Sequence, residues 1–390
     1  MTNQQDALYR AICEYPDEDA PRLVFADCVE EAGDASRAAL IRTQVALARV
    51  PEYDPLWSQC RRDAPNAILG WALSYPLPSL PSGFSWHGHR MRRGFSWRAT
   101  ITHATSFAKQ AAALFAAAPI QALEFPHSSG VKKHLGQLAE SPSLGLLRRL
   151  DFSLTRLEEM DVRILGESPF ANLSELRFEE HAVSAEGLQA LATSPLAAQL
   201  TELELERPAL PPAQLVGALA SAEAGILHKL ELRNCGLLAV DVAELLAAPW
   251  LQSLNSLELS ENPLKGPGVA AIGQRAAMAD LEVLKLSRTF PGASGIQALS
   301  ESPNLPRLRW LDLSANRLGP ATIRGLARSP IMRTLRVLDL SNNPIGAAGA
   351  AFLAEADAPE LRELVLNNCG IDANRERSGI GGNSLHNLTS

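Results

Sequence analysis

Six glutamates occupy matching places in three short stretches: Glu175 and Glu179 in "ELRFE", Glu202, Glu204 and Glu206 in "ELELE", and Glu231 in "KLELR". Alternate residues of an extended segment share a face, so each stretch puts its carboxylates on one side of a strand. Like charges on neighbouring strands destabilise a sheet, and Arg177, Lys229 and Arg233 are too few to balance these. The chemistry such a cluster suits is recognition of a cationic surface. Later stretches hold Val283, Trp310 and Val337 at one matching place, beside Asp312 and Asp339. An exposed tryptophan ringed by polar groups is a common anchor for a protein partner. The two zones together imply a basic protein ligand with an apolar knob, held by Trp310 and steered by the carboxylates, so that association slows as salt rises. A second reading stays open from the residues alone, in which the acids are ordinary solvated side chains and Trp310 is covered by its neighbours.

Other constellations carry less. His87, His89, Arg90, Arg92 and Arg93 form a basic cluster. His-x-His can ligate a metal, but no third ligand accompanies it. Arginines among aromatics can touch nucleic acid, yet five such residues in an acidic protein are more often an edge strand with a solvated face. Asp27, Glu30 and Glu31 fall on a helical stretch, where a charged run is usually the solvated side. Cys13, Cys28, Cys60, Cys235 and Cys369 are scattered without a CxxC pair, which argues against both a disulfide framework and a zinc site. Nucleophile-elbow, phosphate-loop and His-Glu-x-x-His motifs are missing from the sequence, so no catalytic residue, cofactor or metal is assigned. A net charge of −7 gives the whole chain no attraction for nucleic acid or an anionic membrane. "MTNQQDALYR" has polar residues where a signal peptide needs apolar ones, and "AAALFAAAPIQAL" is short and broken by Pro119. The expectation is a soluble cytoplasmic protein that binds a macromolecule without turning it over. The alternatives are an enzyme, a trans-acting activator contributing an arginine, or a nucleic-acid binder using the patch from Arg90 to Arg93.

The elements that must position these residues repeat. The pattern L-x-x-L-x-L-x-x-(N/C/T)-x-(L/I) has its second leucine at Leu150, Leu176, Leu203, Leu230, Leu257, Leu284, Leu311, Leu338 and Leu364, at spacings of 26 or 27 residues. "IQALEFPHSSG" places Leu123 and Phe125 one further step back, as a tenth unit. Within each unit the leucines alternate with polar residues, the period of a strand with one buried face. In "SAEGLQALATSP" and "GPATIRGLARSP" the apolar positions fall three apart before a Ser-Pro that stops a helix. Strands stack about 4.8 Å apart and helices about 10 Å, so one strand and one helix per unit predict a curved solenoid with a parallel sheet on its concave side. Asn262, Asn316 and Asn343 hold the place where strand turns into loop, and the amide there suits the backbone groups the turn leaves unpaired. Thr155, His181, Pro208 and Thr289 depart from that place, which predicts less regular loops.

The repeat resembles the leucine-rich repeat family, specifically its long helix-containing, ribonuclease-inhibitor-like class, over residues 95 to 371. The resemblance implies an α/β horseshoe that binds protein on its concave face, with Cys235 and Cys369 as structural substitutes for asparagine. Residues 1 to 50 predict three short helices, from Pro21 at a helix start and the Gly33–Asp34 break. Through D-x-x-x-P-R-L-V-F-A-D, E-E-x-G-D and L-I-R-x-Q-x-A-L-A-R they resemble a bacterial repeat-companion domain, which implies a small all-helical N-terminal domain. Residues 51 to 94 read as a Pro/Trp-rich connector that packs down, "GFSWRATITHATSFAKQAAALFAAAP" from Gly94 as a capping strand and helix, and residues 372 to 390 as a flexible tail.

Overall fold

A computed structural model describes residues 2–63, 77–87, 91–103, 105–126, 130–168, 170–222 and 226–371. The tail read at 372–390, and His89 and Arg90 of the basic cluster, lie outside the described residues. The chain forms two compact units, one of Met1–Gly187 with Ser194–Leu196, the other of Leu188–Thr193 with Ala197 onward.

The first unit opens with helices α1 (Asn3–Glu14), α2 (Ala20–Glu31), α3 (Ala35–Leu47) and α4 (Pro55–Asp63). Thr2 and Gln5 close a capping box on α1, Pro21 sits in the first turn of α2, and Asp34 Oδ1 accepts from the Arg37 amide at the start of α3. The three helices bury Ile12, Phe25, Ala26, Val29, Ala38, Ile41 and Val45 together, and Phe95 from outside them completes the cluster. Phe95 reaches it through a tight hairpin of β2 (Met91–Arg92) and β3 (Phe95–Ser96). Arg93 and Gly94 turn that hairpin with φ of 53° and 85°, both left-handed. A side chain at residue 94 would come within 2.8 Å of the Ile41 backbone, so only glycine lets the hairpin close on α3. The Gly94 amide donates to Gln44 Oε1 at 2.7 Å.

Strand β1 (Phe84–Trp86) lies antiparallel to β4 (Arg98–Ile101), and β4 runs parallel to β5 (Ala122–Phe125), β6 (Arg149–Ser153) and β7 (Glu175–Glu179). β4 and the helix after it, α5 (Thr105–Ala117), correspond to the capping strand and helix read from Gly94; the antiparallel β1 was not foreseen. The N-terminal helices dock on this start of the sheet. Tyr9 donates to the Ala117 carbonyl at 3.0 Å, and Asp17 takes hydrogen bonds from Gln121 at 2.8 Å and Arg148 at 2.7 Å.

The second unit holds the parallel strands β8 (Glu202–Glu206), β9 (Lys229–Arg233), β10 (Ser256–Glu258), β11 (Val283–Lys285), β12 (Trp310–Asp312), β13 (Val337–Asp339) and β14 (Glu363–Val365). Register is one-to-one, Leu230, Leu257, Leu284, Leu311, Leu338 and Leu364 pairing in sequence. The next alternate residues, Leu232, Leu259, Leu286, Leu313 and Leu340, are fully buried. In the first unit that column is aromatic, Phe125, Phe152 and Phe178 stacking at 5.1 and 5.7 Å. A helix follows each strand from β8 to β13: in Pro320–Ala327 proline sits in the first turn, Ile323 and Leu326 are buried, and Ser329–Pro330 begins the next turn.

Asn262, Asn316 and Asn343 are buried and saturate the turns. Asn316 Oδ1 accepts from the Thr289 and Phe290 amides at 2.8 and 2.9 Å, while its Nδ2 donates to the Leu286 and Leu313 carbonyls. Cys235 and Cys369 fill the same place, their thiols pointing at the Leu205 and Leu340 carbonyls. The residue just before this place is left-handed in every unit from Leu154 to Asn368, with φ between 48° and 62°. Only Asn234, Asn342 and Asn368 are of a type that favours it. The left-handed residue is kept in the units with Thr155, His181, Pro208 and Thr289, though His181 is itself left-handed as well, with φ of 62°, so its loop departs from the others.

Candidate interaction surface

Alternation along each strand leaves three rows of side chains facing away from the leucine core. In the second unit the first row runs Glu202, Lys229, Ser256, Val283, Trp310, Val337 and Glu363, each in register with the next. The second runs Glu204, Glu231, Glu258, Lys285, Asp312, Asp339 and Val365. The third starts with Glu206 and Arg233.

The glutamates are paired. Lys229 Nζ reaches Glu202 and Glu204 at 3.3 Å and Glu231 at 2.9 Å, and Arg207 lies 3.8 Å from Glu206. Burial works against the Lys229 charge, but these three carboxylates outweigh it and hold its pKa above the usual lysine value. Burial and the neighbouring Glu204 charge push the Glu231 carboxyl up. In the first unit Glu175 lies 3.3 Å from Arg149 and 3.8 Å from Arg92, and Glu179 lies 3.1 Å from Arg177. Arg149, Arg92 and Arg207 sit in other stretches or just past a strand, so alternation within the glutamate stretches does not reveal them as partners.

Glu258 was not singled out from sequence, yet it occupies the centre of the second row. It is buried, bonded to Arg233, and 3.5 Å from Lys285. Lys285 also covers Trp310, its Nζ 5.2 Å from the ring centroid. Trp310 is half-buried, and its indole N–H is buried with no hydrogen-bond acceptor among the described residues. Val283 beside it is half-buried. Val337 is only 2% exposed, which corrects the expectation of three apolar residues open in a row. Its short side chain lies in register between Trp310 and Glu363, and both are larger.

Asp312 and Asp339 differ from the other acids. Neither has a cation within ion-pair distance among the described residues; each accepts a backbone amide at 2.8 Å, from Ser314 and Ser341. Burial raises the Asp312 pKa, the Ser314 hydrogen bonds oppose this, and the charges of Asp339 and Glu258 add to the rise.

The basic cluster is engaged within the first unit. Arg92 stacks on Trp97 at 5.0 Å, Arg93 donates to the Asp17 carbonyl at 2.7 Å, and His87 pairs with Glu124, which also accepts from Thr100 at 2.8 Å. The cysteines are free thiols, and burial pushes Cys235 up to about 12, far from the range of a reactive thiolate. No cluster of three or more potential metal ligands occurs among the described residues, and no described helix is long and apolar enough to cross a membrane. A cavity of about 30 Å³ between Leu188, Leu203, Leu219 and Trp250 is lined by apolar side chains and is too small for a cofactor.

A family model described as Leucine Rich repeat matches residues 251–273 and 332–354. The chain therefore carries leucine-rich repeats, on a mixed α/β architecture of parallel strands and helices. No curated protein matches it. Solved structures that resemble it include the yeast Rad7 and Elc1 complex, at 16% identity and TM-score 0.44, over 68% of this chain and 75% of that one. An internalin of Listeria monocytogenes matches at 13% identity and TM-score 0.37 over 66% and 70%. The TLR13–ssRNA13 complex matches at 23% identity and TM-score 0.39 over 64% of this chain and 32% of that one.

Proposed function

We propose that this protein is a non-enzymatic interaction scaffold whose repeats, of the ribonuclease-inhibitor-like class, bind a basic protein surface on the sheet face opposite the helices. The observation that carries the reading is the pair Asp312 and Asp339. On a sheet where Glu202, Glu204, Glu231 and Glu258 have cations at hand, these two neighbours have none among the described residues, and they adjoin half-buried Trp310 and Val283. A lysine or arginine from a partner would supply the missing charge, while its alkyl stem covers the indole. The engaged state of Arg92, Arg93 and His87 favours protein over nucleic acid as the ligand. Companion-domain character for the N-terminal helices, a bacterial source and a cytoplasmic location belong to the same proposal, on the sequence motifs alone.

The test begins by identifying what co-purifies with the protein from its own host. With that partner in hand, Trp310→Ala and Asp339→Asn should each weaken binding at least tenfold while leaving the circular dichroism spectrum unchanged, and wild-type association should slow as salt rises. Full affinity in both variants places the site elsewhere.

A further inference from the structure

We propose that the loop rim around Phe290 is a second contact surface, one that takes carboxylates of a protein partner. The proposal rests on the reading of the sheet face as a protein-binding surface and extends it to the partner's other charge. Phe290 is 41% exposed and its φ is 57°, a left-handed conformation that disfavours a bulky side chain. The same place holds Ala209, Gly236, Arg317 and Gly370 in other units, all left-handed, so the turn does not need an aromatic there. A strained, exposed ring that the fold does not require points to use.

The backbone that carries the ring is anchored, and the ring is topped by charge. Its backbone amide is fixed by buried Asn316, and the Arg317 guanidinium carbon lies 5.3 Å from its centroid. Arg288, two residues before it, is exposed with a φ of 56°. Lys265, also exposed, donates its amide to the Thr289 carbonyl at 2.9 Å and so stands beside the same turn. Among the described residues none of Lys265, Arg288 and Arg317 has a carboxylate within ion-pair distance; Glu261 is the acid at the place matching Arg288 one unit back. Three cations and one acid around an aromatic favour an anionic ligand. A continuous phosphate chain on this rim would meet Glu258, Asp312 and Asp339 on the strands of the same units, which repel it. A protein can put carboxylates on the rim and cations on the sheet, so an acidic segment flanked by basic residues fits both.

Fluorescence anisotropy on the full chain, at low salt, with labelled decaglutamate, decalysine and a ten-residue oligodeoxythymidine separates the possibilities. Decaglutamate should bind wild type and bind the Arg288→Ala/Arg317→Ala double variant at least tenfold more weakly. Phe290→Gly should weaken it at least threefold while raising the thermal midpoint, a combination that a purely structural ring would not give. Decalysine binding should be unchanged in these variants and weakened instead by Asp312→Asn/Asp339→Asn. Absence of decaglutamate binding to wild type, equal binding by the double variant, an unaltered affinity with Phe290→Gly, or tighter binding of the oligonucleotide overturns the rim proposal. Loss of the decalysine result alone sinks the sheet-face reading and leaves the rim standing.

Discussion

Asp312 shows how one buried charge can work against folding. Its pKa lies above the ordinary aspartate value because it is buried, with Asp339 and Glu258 adding to the rise. The folded chain therefore holds this proton more tightly than the unfolded chain, and stability falls as pH rises from the usual aspartate range through the raised value. Asp312→Asn removes that cost and keeps an oxygen for the Ser314 amide. It should raise stability near neutral pH by on the order of 1 kcal/mol, with the gain vanishing in acid, as thermal melts at a series of pH values would show. A gain that persisted below the aspartate range would mean the charge is not the cause. The sequence showed Asp312 and Asp339 on one face with Trp310, because period two needs nothing but the strand. It did not show Val337 covered, nor Lys285 lying over the indole, because those depend on the sizes and rotamers of neighbours one repeat away.

At the scale of elements the N-terminal helices and the first strands are joined by polar contacts as well as by Phe95. Asp17, in the turn between α1 and α2, accepts from Arg148 Nη2 and Nε, one edge of the guanidinium, at 2.6 and 2.7 Å. Burial works to raise the Asp17 pKa, but the hydrogen bonds from Arg148 and Gln121 outweigh it and lower the value. A depressed carboxylate contributes stability above its unfolded pKa and loses it as pH falls through the folded one. The side chain is 44% exposed, so screening trims the effect. Asp17→Asn should cost about 1 kcal/mol or less at neutral pH, with the gap to wild type closing in acid, measured by urea unfolding at several pH values. A variant as stable as wild type at neutral pH would show that the Asp17 carboxylate adds nothing to the docking of the helices. Helix boundaries here were readable from Thr2, Pro21 and the Gly33–Asp34 break, which act locally. β1 was not, because three residues inside an apolar connector carry too little alternation to mark an edge strand, and its antiparallel partner is settled only by contact. The fit of Gly94 against Ile41 is likewise a matter of two segments meeting.

The whole molecule separates what builds from what varies. Strand positions were legible almost completely, since ten units at a spacing of 26 or 27 residues leave one register in which the leucines stack, and that register is observed from Leu123 to Leu176 in the first unit and from Leu203 to Leu364 in the second. The left-handed residue before each turn was invisible, because Leu154, Glu180, Arg207, Glu261, Arg288 and Ala315 carry no common chemistry; only the repeated backbone reveals it. Leu257, Leu284, Leu311 and Leu338 each have no exposed surface and identical strand neighbours on both sides, so their deletion should be near-equivalent. In a repeat each unit leans only on the next, and a cavity in one cannot be filled by rearranging a distant core. Replacing any one of the four by Ala should therefore cost about 2 to 5 kcal/mol, while Arg288→Ala on the rim stays within about 0.5 kcal/mol of wild type. Urea unfolding of the five variants measures this. A Leu311→Ala protein with an unchanged midpoint would mean that Leu311 does not lie in the stacked column and that the register, and with it the face assigned to Trp310 and Asp312, is wrong by one residue.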